Sequence, residues 1–204
     1  ICVAAEATNE SRPAGLQDGI TYYEDDATKV TLCLYYKDNN NKIAQNVFVI
    51  GDFNNWAYTT EYQMKKDGET GYFWLDITGL EPGKEYVFQY AVKRPNGAMI
   101  QVSDAFTHKV VDPNDHYISE DIYPNKTTYP QKADGPCGVI QTARKPYTWS
   151  DATLNFKRPD KNNLVIYELW VYDFCPARSF EGVLDRLDYI ENLGVNAIEF
   201  MPVC

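Results

Sequence analysis

The chain reads as mainly β: an antiparallel sandwich followed by one strand–helix–strand unit of a parallel sheet. Three observations carry that expectation. Large apolar residues recur at every second position from about residue 20 to 111. Turn residues interrupt them roughly every 8–15 positions. A helical period enters only after residue 164, between two apolar runs.

In chain order, Val30, Leu32, Leu34 and Tyr36 alternate with Thr31, Cys33 and Tyr35, and the loop cluster Asp38-Asn39-Asn40-Asn41 ends that run. Val47-Phe48-Val49-Ile50 and Tyr72-Phe73-Trp74-Leu75-Asp76-Ile77 follow. Gly79-Leu80-Glu81-Pro82-Gly83 turns the chain into Tyr86, Phe88, Tyr90 and Val92, and Pro95-Asn96-Gly97 is a hairpin signal leading to Ala98–Val102. Six or seven short strands of this kind make an antiparallel sandwich over 20–111.

Residues 112–163 hold six of the eleven prolines, which argues against a regular helix or a central strand. Their aromatics (Tyr117, Tyr123, Tyr129, Tyr147, Trp149, Phe156) argue against a free linker, so the expectation is an extended connector packed on its neighbours. From Leu164 to Val171 a nearly continuous apolar run predicts a buried strand. Ser179 is placed to cap one helix carrying Phe180, Val183, Leu184, Leu187, Ile190 and Leu193, with Gly194 as its left-handed C-terminal cap. Val195–Val203 is the second buried strand, which completes a βαβ unit over 164–204.

Two hundred and four residues leave room for one complete domain and part of another. The start at Ile1 without Met and the stop at Cys204 inside an apolar run read as cut ends, and the small apolar stretch before Glu6 is too short to identify as the remnant of a signal peptide. No apolar run reaches the 18 residues that span a bilayer. The 29 acidic residues against 19 basic give a net charge of −10, which repels phosphate backbones and speaks against a nucleic-acid partner. A neutral polyhydroxylated ligand suits that charge, and so does the 14% aromatic content. Five scattered cysteines without a CxxC pair read as free thiols rather than a zinc site or a disulfide framework.

The sharpest local signal is Gly51-Asp52-Phe53-Asn54-Asn55-Trp56. Gly and Asn permit left-handed backbone in a tight turn, which would present Trp56 at a strand end. An exposed indole is a platform for the apolar CH face of a pyranose, and the Asn54 amide can bond sugar hydroxyls. The alternative is that Trp56 packs under its own loop as a core plug.

The string at 51–56 resembles family 48 carbohydrate-binding modules. So do Gln63-Met64, Gly71-Tyr72-Phe73-Trp74, Gly79–Gly83 and Phe88-Gln89-Tyr90-Ala91-Val92, in that order. The resemblance implies an immunoglobulin-like sandwich in which Trp56 stacks on glucose and residue 89 helps to hold it. Gln89 stands where those binders carry Lys, and their second stacking Trp, expected near Met99, is missing. The segments Leu164–Phe174, Ser179–Val183, Leu187–Ile190 and Leu193–Val203 are similar to the opening of a family 13 glycoside hydrolase, the α-amylase group. That likeness implies the first βαβ unit of a (β/α)₈ barrel whose parent cleaves α-glucans such as starch or glycogen with retention. It also implies an extracytoplasmic location.

A barrel of this kind needs about 250 residues. The resemblance places the nucleophile Asp, the acid/base Glu and the stabilising Asp on later strands, so the 204-residue chain is expected to lack them and to be inactive alone. Glu168 and Glu199 lie within strands and read as structural carboxylates; Tyr172 and Asp173 would stand on the barrel rim as substrate-binding candidates, with Phe174 and Val203. A non-catalytic glucan-binding scaffold is the competing class, and branching or debranching the alternative within the enzyme class. No cofactor is expected. Asp112-Pro113-Asn114-Asp115 offers oxygens for a calcium contact in the parent, against its plainer role as a turn, and His108 and His116 name no complete metal site.

Overall fold

The computed structural model describes residues 6–201; the apolar stretch before Glu6, and with it Cys2, Val203 and Cys204, lies outside the described residues. The chain divides into two compact units, one holding residues up to Tyr117 together with Thr127–Lys145, the other Ile118–Lys126 with the residues from Pro146 onward.

The first unit is an antiparallel sandwich. Its strands are β1 (Gly19–Tyr22), β2 (Val30–Tyr35), β3 (Asn46–Gly51), β4 (Lys65–Lys66), β5 (Tyr72–Ile77), β6 (Glu85–Lys93), β7 (Met99–Val102), β8 (Val110–Val111) and β9 (Cys137–Gln141). One sheet runs β1-β2-β5-β4, the other β3-β6-β9-β8. Strand β6 is the spine of the second sheet. β3 pairs with its residues 88–93 on one edge, and β7 and β9 share the other edge end to end.

Period-two alternation puts Tyr86, Phe88, Tyr90 and Val92 of β6 into the space between the sheets, against Val30, Leu32, Val47, Val49, Phe73 and Ile77. Each such side chain taken fully out of water contributes about 1.5–3 kcal/mol. The predicted hairpin forms at residues 94–98, where Arg94 N–H donates to Ala98 O at 2.8 Å and Gly97 N–H to Arg94 O at 2.9 Å.

The reading of 112–163 as a connector without a central strand is corrected. β9 lies inside that range, pairs with β6 on one side and β8 on the other, and is buried. Pro136 immediately precedes the strand, so no ladder donor inside β9 is lost and the proline content does not oppose it.

Among its described residues the second unit carries four short α-helices, α1 (Asp151–Leu154), α2 (Val171–Phe174), α3 (Phe180–Leu184) and α4 (Leu187–Asn192), and two strands, β10 (Ile166–Leu169) and β11 (Ala197–Phe200). β10 and β11 pair in parallel. Leu169, Val171, Val183 and Ile190 form its buried cluster, joined by Tyr167, Phe174, Val195 and Ile198. Ser179 caps α3 as expected, accepting the Gly182 N–H at 3.3 Å, and Gly194 follows α4 with φ +78, the left-handed conformation that glycine adopts freely. Three expectations differ: both strands, expected to be buried, are largely exposed, with Leu169 alone buried among their residues. The single helix is broken at Asp185-Arg186, where Arg186 leaves helical geometry (φ −116, ψ 8), and the strand ends at Leu169 because Val171 already opens α2.

Candidate functional site

The turn after β3 is built by close approach. Gly51 is extended, and a Cβ there would meet Val87 O at 2.6 Å and Phe88 Cβ at 2.9 Å, so only glycine lets β3 pair with β6 at that point. Asp52–Asn54 forms a single 3₁₀ turn, and Asn55 (φ 52) and Trp56 (φ 61) follow in the left-handed region. The Asn54 Oδ1 accepts from Gly51 N–H at 3.0 Å and Trp56 N–H at 3.1 Å, while its Nδ2 donates to Val49 O at 2.9 Å. Asp52 accepts the Trp56 indole N–H at 3.0 Å on one oxygen and the Val87 N–H at 2.8 Å on the other. The polar side chains of the motif are spent on holding the turn.

The indole is held inward. Trp56 is 8% exposed and packs with Phe48, Ile50, Val87, Ala91, Val111, Cys137 and Val139 on the outer face of the β6 sheet, where Tyr129 and Ala133 join them. Gln89 lies on the same face and is 0% exposed. Its Nε2 donates to Asp134 O at 2.7 Å and Pro136 O at 2.8 Å, and its Oε1 accepts the Asp134 N–H at 3.2 Å. Lys132 Nζ donates to Asn55 O at 2.9 Å.

Residues 129–136 therefore lie over the face on which Trp56, Asn54 and Gln89 were expected to meet a sugar. The expectation of a stacking Trp56 with hydrogen bonds from Asn54 and Gln89 is corrected in favour of the core plug. The indole face, the Asn54 amide and the Gln89 amide all have protein partners, and the contacts of the covering segment span 45 residues to Gln89 and 77 to Asn55.

Near this covered face, Tyr58 is exposed and its ring meets Phe48 edge-on at 6.2 Å. With Arg94, Met99, Gln101 and Asp134 it lines an open concavity of about 470 Å³. Gln101 Nε2 donates to the Tyr58 hydroxyl at 3.3 Å, and the Gln101 Oε1 is buried without a partner.

Neither Cys33 nor Cys137 is poised for chemistry. Burial pushes the Cys33 thiol up to about 11 and the Cys137 thiol up to about 12, far from the depressed values of reactive cysteines. Inside the sandwich Tyr90 donates its hydroxyl to Asp104 at 2.6 Å, and burial raises the Asp104 carboxyl from its ordinary value despite that bond and the one from Phe106 N–H.

In the second unit Tyr172 and Asp173 are both exposed and sit in α2. Trp170, which sequence reasoning absorbed into the strand, stands between Leu169 and α2 and is exposed beside Tyr172. The apolar run Leu164–Val171 hides the stop of the strand before Trp170. Glu168 and Glu199 are exact register partners across β10 and β11 and are exposed.

The remaining candidates resolve into local roles. Asp112 Oδ1 accepts from Asn114 N–H and Nδ2, and Asp115 accepts the Asp112 N–H, which makes the stretch a self-bonded turn. His116 Nδ1 meets Pro113 O at 2.8 Å, while the His108 ring stacks on Tyr22. No group of three or more His, Cys, Asp or Glu able to hold a metal occurs among the described residues.

Residues 17–113 match the family model described as Carbohydrate-binding module 48 (Isoamylase N-terminal domain). The chain is 30% identical over 169 residues to the 1,4-alpha-glucan branching enzyme GlgB 2 of Clostridium perfringens (strain SM101 / Type A), which covers 78% of this chain and 22% of that protein. It is 28% identical over 142 residues to the malto-oligosyltrehalose trehalohydrolase of Saccharolobus solfataricus, covering 70% of this chain and 20% of that one. Among solved structures, apo pullulanase from Paenibacillus barengoltzii matches with a TM-score of 0.62 at 20% identity, over 93% of this chain and 27% of the other, a likeness of fold. The chain thus spans about a fifth of the length of the curated relatives it matches.

Proposed function

We propose that the chain, whose residues 17–113 match the carbohydrate-binding module 48 model, is the N-terminal region of an α-glucan-acting enzyme of the family 13 glycoside hydrolase type. In this reading the sandwich serves as a structural partner of a catalytic barrel, and residues 164–204 are the barrel's first βαβ unit. The observation that carries it is the reach of the similarity. The module match accounts for under half of the chain, whereas the branching enzyme aligns over 78% of it, so the likeness extends outside the module.

Two features support the reading. The outer face of the module is closed by residues 129–136, which favours a structural role over sugar capture. In the second unit Leu164, Val165, Ile166, Leu184 and Phe200 are exposed, more apolar surface than one βαβ pair covers by itself, and further strands and helices would bury it. The reaction is α-glucan hydrolysis or chain transfer, with the working carboxylates on later strands and the enzyme outside the cytoplasm.

Reading the gene beyond Cys204 tests this. Further βα repeats with an Asp after the fourth strand, a Glu after the fifth and an Asp after the seventh are the expected result. A stop codon directly after Cys204 removes the enzyme and leaves the scaffold.

A second reading, a module that itself holds glucan, is favoured by one observation: the concavity that Tyr58 shares with Met99, Gln101 and Asp134. Glycogen affinity electrophoresis of wild type and Tyr58→Ala decides it. Retardation that the substitution abolishes supports glucan capture, and equal mobility with and without glycogen removes it.

A further inference from the structure

At the C-terminal end of β10 two aromatic rings stand together in the open. Trp170, the first residue past the strand, is 46% exposed, and Tyr172, in α2, is 47% exposed. Their centroids are 5.4 Å apart and their planes differ by 32°. Isolated surface aromatics are commonplace, but this pair is preorganised. The Trp170 carbonyl accepts the N–H groups of Asp173 and Phe174 at 3.1 and 3.0 Å, which ties its backbone to the first turn of α2. Arg178 sits 4.3 Å from the Tyr172 centroid and donates Nη1–H to the Tyr172 hydroxyl at 2.7 Å. The phenol is thus gripped on its face and at its edge, and the rotamer freedom that a ligand would have to freeze is already lost.

The position has meaning because β10 and β11 run parallel. Ligands of parallel sheets sit outside the carboxyl ends of the strands, where this pair lies. Aromatic faces match the apolar CH face of a pyranose, and the exposed Asp173 carboxylate in the same helix accepts hydroxyl hydrogen bonds. Two planes set at an angle offer a bent surface, which suits the curved path of an α-1,4-linked chain better than the flat ribbon of a β-1,4-linked one.

We propose that Trp170 and Tyr172, the latter locked by Arg178, form a stacking platform for glucose units of an α-glucan. The choice of α-glucan rests on the enzyme reading above; the platform rests on the geometry of β10 and α2.

The test uses the wild-type chain and N-bromosuccinimide oxidation, with each tryptophan followed by peptide mass analysis. Trp56 and Trp74 are buried, and Trp149, 60% exposed, is the internal control. With maltoheptaose at four times its Kd, Trp170 oxidation should slow about fivefold, by the factor 1 + [L]/Kd, while Trp149 oxidises at an unchanged rate. Arg178→Met, which frees the phenol, should reduce that protection. An unchanged Trp170 rate at saturating maltoheptaose, or equal slowing of Trp149, overturns the platform. Equal protection by cellohexaose overturns the assignment to α-glucans. None of these failures touches the enzyme reading, which stands or falls on the gene beyond Cys204.

Discussion

Asp52 and Trp56 close the turn that the sequence marks most strongly: one carboxylate oxygen takes the indole N–H at 3.0 Å, and the other takes the Val87 N–H of the neighbouring strand at 2.8 Å. A single side chain thereby fixes the indole inward and ties the turn to β6. Asp52→Ala orphans both donors and should lower unfolding stability by about 1–3 kcal/mol, read from urea titration. Stability equal to wild type would show that water replaces both bonds.

Trp56→Ala removes a core plug and not a sugar contact. The expected loss is about 3–5 kcal/mol of stability, as for other buried aromatics. Glycogen affinity electrophoresis of the folded fraction should match that of wild type. A variant that keeps its stability and loses glycogen retardation would return Trp56 to the role of a stacking residue.

Gln89→Lys installs the residue implied by the resemblance to sugar-binding family 48 modules, yet it should not create affinity here. The Gln89 amide bonds Asp134 and Pro136 in a site closed to water. A lysine there loses the acceptor for Asp134 N–H and buries a charge, costing about 3 kcal/mol or more. Calorimetry should record a lower Tm and no maltoheptaose binding.

Asp104 sets a pH dependence. Burial raises its folded-state pKa above the unfolded value, so the protonated form is favoured on folding. The contribution is fully present below the unfolded pKa and is lost as pH rises through the folded one. Asp67, Asp76 and Glu85 are shifted down and act in the opposite sense, so the informative quantity is a difference. The stability of Asp104→Asn minus that of wild type should rise between acid and neutral pH, because Asn does not ionise. A difference independent of pH would contradict the raised pKa.

Glu168 and Glu199 face each other across the parallel pair, and like charges in register destabilise a sheet. Glu199→Lys should strengthen β10–β11 by about 0.2–1 kcal/mol. Hydrogen exchange offers the check: amides of 166–169 should exchange faster than those of 86–92 in wild type and slow in the variant. Faster exchange in the variant would refute the repulsion.

Much of the architecture was legible because it rests on local periodicity. Alternation of Tyr86, Phe88, Tyr90 and Val92 predicted β6, and Pro95-Asn96-Gly97 predicted the hairpin to β7. Ser179 and Gly194 marked the ends of the helical stretch, although not the break at Arg186. Legibility failed where a proline count stood in for a pairing pattern. Pro136 precedes β9 without entering its ladder, so the segment thought unfit for a central strand supplies one.

By itself the sequence determined which residues alternate, where the chain turns, and which carbohydrate-binding module its motif resembles, since each depends on neighbours a few positions apart. Only the tertiary structure decided that Trp56 and Gln89 lie inside and Trp170 outside. Whether a strand's second face is wet depends on what crosses it, and here that is residues 129–136, whose backbone groups satisfy Gln89. Conversely, Trp170 emerges because β10 stops at Leu169, and no periodicity in an unbroken apolar run marks that stop.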